Sequence, residues 1–138
     1  MLMPKRIKFR KSQRGSMRGK ATRGHRVTFG DFGLQSTETA GITPRQIEAG
    51  RIAASHFLRG EGKVWIRIFP HKPVSGKPLE TRMGKGKGDT DFWAACVKPG
   101  TVLYEVGGIP EDVARQVLNR MSHKMPIKCR MARRQAAL

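Results

Sequence analysis

Acidic residues are scarce in this chain. Only 10 Asp and Glu stand against 28 Lys and Arg among 138 residues, and the first acid is Asp31. The formal net charge is +18 and the sequence pI is about 11.3. Because such an excess repels itself in an isolated domain, a polyanion is the simplest permanent environment for it. Nucleic acid is the first candidate, and an anionic membrane surface is the second.

Cysteine pairs, histidine clusters and long apolar runs are also missing. Cys96 and Cys129 form no C-x-x-C pair, which argues against a disulfide framework and a structural zinc site and suits a reducing compartment. His56 has no second ligand at helical spacing, so we expect no metal and no cofactor. No apolar run approaches the roughly 18 residues that span a bilayer.

Catalytic signatures are absent as well. The chain has no G-x-S-x-G, H-E-x-x-H, Walker or dinucleotide-binding pattern, so we expect no catalytic residue and no enzyme. Four acids, Glu61, Glu80, Asp89 and Asp91, flank a basic loop in the middle of the chain. We interpret them as internal salt partners of the cations in that loop.

Residues 1–26, the basic tail, form the first positive segment. The tail contains no acid and ten cations, of which all but the last are candidate RNA contacts: Lys5, Arg6, Lys8, Arg10, Lys11, Arg14, Arg18, Lys20, Arg23 and Arg26. Alone it buries too little to offset chain entropy, so we expect it to be disordered until RNA phosphates neutralise it. A merely solubilising tail is the alternative. A mitochondrial presequence is disfavoured because Pro4 and Gly15 interrupt any amphipathic helix.

Residues 27–138 read as a single α+β domain with two helices. Thr43 and Gln46 form a capping box around Pro44, which predicts the start of the first helix, and Gly60 and Gly62 are expected to end it. Gly50 interrupts this helix and indicates close packing there. The second helix begins at residues 111–112 and ends before residue 126, with an apolar face of Val113, Ala114, Val117, Leu118 and Met121.

Four or five strands complete the predicted domain. They cover residues 27–35, 63–69, 92–98, 101–106 and 127–131, and residues 36–42 read as a loop. Cys96 is interpreted as a small core residue within its strand. No βαβ rhythm is present, so we expect a mostly antiparallel sheet with the two helices packed on it.

Residues 71–91 form a long excursion that protrudes from the domain. It contains the glycine loop, residues 82–88: Arg82, Met83, Gly84, Lys85, Gly86, Lys87 and Gly88. Three glycines prevent a stable helix or strand and allow the backbone to approach phosphates, while the lysines supply charge. A long segment without a core pattern is usually functional. A solvated, mobile basic loop is the alternative interpretation.

Further cations lie on the predicted helix, strand and loop. The candidate RNA contacts outside the tail and the glycine loop are Arg45, Arg51, Arg59, Lys63, Arg67 and Lys77. Trp65 and Phe69 alternate with Arg67 on one side of their strand. One of these two rings could pack under the base of the loop or stack on RNA, and a core position is favoured for Trp65.

Four segments of the chain resemble segments of one known protein family. Residues 1–11 (MLMPKRIKFRK) and residues 43–49 (TPRQIEA) are similar to the start and the first helix of one family. Residues 62–70 (GKVWIRIFP) and residues 82–88, followed by Trp93, match its two signatures. The chain therefore resembles the bacterial-type large-subunit ribosomal protein L-sixteen family along nearly its whole length. Gly60 is a departure, because the family usually has a basic residue there.

The resemblance implies a fold and a function. The fold is a hammerhead-like α/β domain that binds large-subunit (23S-type) rRNA beside the aminoacyl-tRNA site. The glycine loop then points towards the peptidyl transferase centre and the tRNA acceptor arms. In some bacterial members the arginine that matches Arg82 is hydroxylated.

The expected partners are rRNA, tRNA acceptor arms and other large-subunit ribosomal proteins, with no membrane and no homo-oligomer. The expected location is the cytoplasmic ribosome, or an organellar ribosome if the protein is organelle-encoded. The alternative function is a free-standing basic RNA- or DNA-binding regulator.

Overall fold

A computed structural model describes residues 2–135, so the outermost ends of the predicted tail and domain, residues 1 and 136–138, lie outside it. Its elements in chain order are β1 (Phe32–Ser36), β2 (Ala40–Ile42), α1 (Pro44–Leu58), β3 (Lys63–Ile66), β4 (Lys72–Ser75), β5 (Thr90–Val97), β6 (Val102–Gly107), α2 (Glu111–Ser122) and β7 (Cys129–Arg133). None of the helices in this part of the chain is long and apolar enough to cross a bilayer.

The strands form two antiparallel sheets. The first sheet has the order β3-β6-β1-β7, and the second has the order β2-β5-β4. Helix α1 contacts β3 in the first sheet, β5 in the second, and α2 beside it. The predicted α+β class is confirmed, although the described residues contain seven strands rather than four or five.

The start of α1 follows from its sequence. Thr43 Oγ1 accepts a hydrogen bond from the Gln46 backbone N–H at 3.3 Å, and Gln46 Oε1 accepts one from the Thr43 N–H at 3.0 Å. The predicted capping box and the Pro44 start are therefore confirmed. The helix ends at Leu58, its cap residue Arg59 takes the left-handed conformation with φ 50°, and Gly60 follows with φ 88°.

The core lies between the helices and the sheets, and β2 and β5 of the second sheet also contribute to it. All six residues of β6 are buried, and the predicted apolar face of α2 packs on this core, with Val113 partly buried. Tyr104 is fully buried, and its hydroxyl donates to the Ile47 carbonyl oxygen at 2.7 Å. Burial raises the pKa of Tyr104 above its ordinary value, so the hydroxyl remains protonated and can donate this bond.

Two predicted strand boundaries were wrong near the beginning of the domain. Residues 27–31 do not extend β1, because three of their backbone N–H groups bond to a side chain on β6 instead of to a neighbouring strand. The predicted loop at 36–42 contains β2, whose three residues pair with β5. A three-residue strand with glycine at its centre gives almost no period-two signal.

The predicted excursion was too long at both ends. Lys72–Ser75 pairs with β5, and β5 begins at Thr90, so the unpaired part covers residues 76–89. Pro73 had argued against a strand, but β4 is an edge strand, where proline is tolerated. Cys96 is exposed between buried Ala95 and Val97, so its predicted core position was wrong.

The last two elements also differ from prediction. Helix α2 ends at Ser122, four positions before Pro126, and the last strand covers Cys129–Arg133 rather than residues 127–131. Turns after Ser122 separate the helix from Pro126, and Met125 and Ile127 in this connection are buried. Their apolar side chains therefore pack in the core although their backbone is irregular. Sequence periodicity does not predict buried positions of this kind.

We predict that Gly50→Ala destabilises the fold. A methyl group at residue 50 would lie 2.5 Å from Tyr104 Oη and 2.9 Å from its Cζ. Overpacking of this kind costs about 1–3 kcal/mol, against a gain in helix propensity of about 1 kcal/mol. Urea unfolding measures the net loss.

Gly41→Ala is the matched control, because a methyl group there meets only the Ala94 Cβ, at an ordinary 3.6 Å. We expect the control to keep wild-type stability. A Gly50→Ala variant as stable as the Gly41→Ala variant would contradict the packing explanation.

Candidate nucleic-acid interface

The basic tail follows an extended path across the domain without forming a helix or strand. Its Ala21 N–H bonds to the Pro99 carbonyl at 2.9 Å, and the Val102 N–H bonds to the Gly24 carbonyl at 2.8 Å. Near its start, Leu2 packs against the hydrophobic core. The tail is therefore anchored to the domain by backbone bonds and one apolar contact.

The candidate cations of the tail point to solvent. All nine side chains that we predicted as RNA contacts, from Lys5 to Arg23, are exposed. Arg45, Arg59 and Lys63 are exposed too, whereas Arg51 is exposed but pairs with Glu48. The surface therefore presents positive charge along the tail, at both ends of α1 and at the start of β3.

The tail passes the base of the glycine loop, and lysines join the two. Lys11 Nζ donates to the Lys87 carbonyl oxygen at 2.8 Å, and Lys87 Nζ donates in return to the Ser12 carbonyl oxygen. Thr90 Oγ1 donates to the Arg10 carbonyl oxygen at 3.1 Å. Two segments that lie far apart in sequence thus form one surface.

A cavity of about 270 Å³ lies where the tail crosses the second sheet. Arg14, Lys72 and Lys87 line it, and no acidic residue of the described chain does. Lys72 Nζ donates to the Arg14 carbonyl oxygen, a contact that sequence reasoning missed. The local charge is therefore uncompensated, which favours an anionic ligand.

The glycine loop protrudes from the β4–β5 hairpin. Gly84, Lys85 and Gly86 have φ values of 99°, 61° and 85°, a region that side chains rarely adopt. Lys77 Nζ donates to the Gly84 carbonyl oxygen at 2.8 Å and folds the loop back on itself. Arg82 and the other loop side chains are exposed, and Met83 is fully so. Glycine at 84 and 86 thus adopts this backbone geometry without the steric cost that a side chain would meet.

The predicted salt partners of the loop were wrong. Within residues 2–135 the ion pairs are Arg51–Glu48, Arg67–Glu105, Arg115–Glu111 and Arg133–Glu111. None of them involves the four flanking acids Glu61, Glu80, Asp89 and Asp91. The lysines bond to neutral carbonyl groups instead, so their charge stays available to a phosphate.

Arg67 differs from the other candidate cations because its guanidinium binds a carboxylate of the protein itself. Its side chain is only 18% exposed, and its Nη1 donates to Glu105 Oε2 at 2.5 Å. The other carboxylate oxygen, Oε1, accepts from the backbone N–H groups of Thr28, Phe29 and Gly30 at 2.6, 2.9 and 3.3 Å. Glu105 itself is fully buried.

The pKa of Glu105 reflects this environment. Burial alone would raise it, but the Arg67 guanidinium and the three backbone N–H groups outweigh burial and hold the pKa below its ordinary value. The sequence analysis gave Glu105 no role. The sequence contained one signal for such a role. Glu105 is an acid within a predicted strand of a basic chain, and the predicted strand at residues 63–69 contains an arginine.

Aromatic rings lie beside this carboxylate. Phe29 stacks next to Trp65, with ring centroids 6.5 Å apart, and the Arg67 Cζ lies 5.1 Å from the Phe29 centroid. Trp65 is half-buried at this surface, and Phe69 contacts His71. The prediction that one of these rings lies under the glycine loop therefore has no contact to support it within the described residues.

Comparison with known proteins gives consistent matches. The family model for ribosomal protein L16p/L10e matches residues 4–132. "Large ribosomal subunit protein uL16" of Rhodopirellula baltica is 58% identical over 136 residues, which cover 99% of this chain and 99% of that protein. The protein of the same name from Exiguobacterium sibiricum is 54% identical over 135 residues, which cover 98% of this chain and 93% of that protein.

We predict that Glu105→Gln destabilises the fold in a pH-dependent way. Removing one partner of a buried ion pair costs about 3 kcal/mol. Because the folded-state pKa of Glu105 is depressed, its contribution is complete above the unfolded pKa and is lost as the pH falls through the folded pKa. The stability difference between wild type and variant should therefore be full at pH 7 and shrink below about pH 4.

Thermal unfolding between pH 7 and pH 3 measures this difference. Glu48→Gln is the control, because it removes an ion pair whose two side chains are 44% and 45% exposed and should leave stability unchanged within error. A Glu105→Gln variant that unfolds at the wild-type temperature at neutral pH would contradict the prediction.

Proposed function

The chain belongs to the ribosomal protein L16p/L10e family, and from this premise we propose that it binds large-subunit rRNA through the basic tail and the glycine loop. It is a structural, non-enzymatic component of the large ribosomal subunit. Membership of that subunit implies rRNA and other ribosomal proteins as its neighbours. The specific contacts are the part that we propose.

The observation that carries this proposal is the junction of tail and loop. Lys11 donates there to the Lys87 carbonyl oxygen, and Lys87 donates to the Ser12 carbonyl oxygen. Arg14, Lys72 and Lys87 line one cavity, and no acid of the described residues does. A carbonyl oxygen has only a partial charge, so a phosphate is a stronger partner for each ammonium. The junction is therefore suited to bind phosphates of an RNA backbone.

The proposed division of the chain follows from this surface. Residues 27–138 act as the domain that positions the two basic segments. Residues 1–26 and, within the predicted excursion, residues 76–89 extend from it to RNA. Exposed Arg45, Arg51, Arg59 and Lys63 widen the contact with rRNA. Arg67 acts inside the protein through Glu105, and we assign it a supporting rather than a direct role.

We propose in addition that the glycine loop reaches tRNA acceptor arms near the aminoacyl site and the peptidyl transferase centre. Lys77, Arg82, Lys85 and Lys87 supply its charge, and the geometry of its glycines brings the backbone close to phosphates. This proposal is supported by the exposure of the loop and by its match to the family signature. The ribosome concerned is cytoplasmic, or organellar if an organelle encodes the protein.

We expect the affinity for a large-subunit rRNA transcript to fall steeply with salt. About ten neutralised phosphates give a slope of log affinity against log salt near −7 to −9, because each contact releases counterions. Filter binding at several salt concentrations measures the slope. A slope near zero would contradict the electrostatic proposal.

Sedimentation of the native protein provides the control for that experiment. Recovery with large subunits supports the proposal. A protein that binds DNA and RNA equally and sediments away from ribosomes would instead be a free-standing regulator.

We expect Arg82→Lys to impair tRNA binding more than Lys85→Arg. A guanidinium can make a planar bidentate contact that an ammonium cannot, so the first change should weaken aminoacyl-site tRNA binding roughly five-fold or more. Lys85→Arg keeps a point charge and is the matched control. Large subunits reconstituted with each variant allow the measurement, and equal, negligible effects would refute the role of the loop.

A further inference from the structure

Phe29 is a large aromatic residue on the surface, with 57% of its area exposed. A single exposed apolar side chain is common and needs no explanation. The unusual feature is its backbone, which is fixed by a carboxylate that is itself fully buried. Burying a carboxylate is costly unless it is paired and hydrogen-bonded. The bonds of Glu105 meet this condition, and the same bonds hold the surface segment that carries Phe29.

The same carboxylate also fixes the cation beside the ring. Glu105 Oε2 accepts from Arg67 Nη1 at 2.5 Å, and the Arg67 guanidinium lies 5.1 Å from the Phe29 centroid. Arg67 Nη1 donates as well to the Arg26 carbonyl oxygen at 3.3 Å. Both the ring and its neighbouring guanidinium are therefore held in place before any ligand arrives.

Trp65 supports the ring from beneath the segment. The two ring planes are inclined by 21°. A methyl group at either Gly30 or Gly107 would lie 3.1 Å from Trp65 Cζ3, so the indole fits closely over two glycines. At Gly30 it would also lie 2.5 Å from the Val106 carbonyl oxygen, which excludes a side chain there. The glycines thus create the space that this stack occupies.

We propose that Phe29 is a stacking platform for an unpaired base of the ribosomal RNA, with Arg67 and Trp65 as positioning residues. The proposal rests on the proposed function, because it assumes that rRNA is the partner. Sequence-specific RNA recognition uses unstacked bases that lie on aromatic rings and guanidinium planes. The exposed cation Arg26 lies close by. Glu105 is paired with Arg67, and Asp31, the nearest acid along the chain, accepts from the Gly108 N–H at 3.4 Å.

The test uses the full chain and a large-subunit rRNA transcript over a range of salt concentrations. Stacking releases no counterions, so Phe29→Ala should weaken binding roughly 5- to 150-fold at every salt concentration without changing the slope. Phe29→Trp should retain binding because it keeps an aromatic face. Phe29→Leu should lose nearly as much as alanine, since it keeps apolar area but no ring.

Phe92→Ala is the matched control, because it removes a phenylalanine of β5 that is 42% exposed and has no such support. Thermal midpoints and far-UV circular dichroism confirm that each variant folds. Wild-type affinity in Phe29→Ala, or equal losses in Phe29→Ala and Phe92→Ala, would overturn the platform. Binding by Phe29→Leu equal to wild type would also overturn it and would indicate an apolar contact with a neighbouring protein.

The two proposals fail in different ways. If wild-type protein binds the transcript with a slope near zero, the electrostatic function fails. If wild-type binding is steeply salt-dependent and the Phe29 variants bind equally well, only the platform fails.

Discussion

A buried carboxylate connects the folded core to the surface that carries the proposed RNA platform. Glu105 lies in β6, one of the two central strands of the first sheet. Its four bonds go to Arg67, which directly follows the edge strand β3, and to the segment that follows the basic tail. It is the one fully buried charged side chain in the described part of the chain. Through it, the position of the segment at residues 28–30 is set by β6, a strand whose six residues are all buried.

Charged side chains have different partners in the folded domain and at the junction of tail and loop. In the folded part, arginines pair with carboxylates, as at Arg67 and Arg133. At the junction of tail and loop, lysines bond to carbonyl oxygens, which leaves their charge uncompensated. Charge pairing therefore stabilises the domain, whereas the lysines of the junction keep the charge that the proposed rRNA contact would neutralise.

The elements with strong local signals could be predicted from the sequence, and those fixed by distant contacts could not. The capping box at Thr43, the apolar face of α2 and the alternation in β3 depend on neighbouring residues. The strand at Lys72–Ser75 was missed because it contains Pro73, and proline disfavours a strand prediction although it is tolerated at a sheet edge. The exposed cations of the site were identifiable from composition, whereas the Glu105 network joins residues that are 38 to 77 positions apart.

The order of synthesis gives the junction of tail and loop a further consequence. Lys11 and Ser12 precede their partner Lys87 by 76 and 75 positions, and Arg10 precedes Thr90 by 80. At 5–20 residues per second, a nascent tail leaves the ribosome roughly 4 to 15 seconds before its own binding site exists. During that interval the most basic part of the newly made chain has only foreign anions or chaperones to bind.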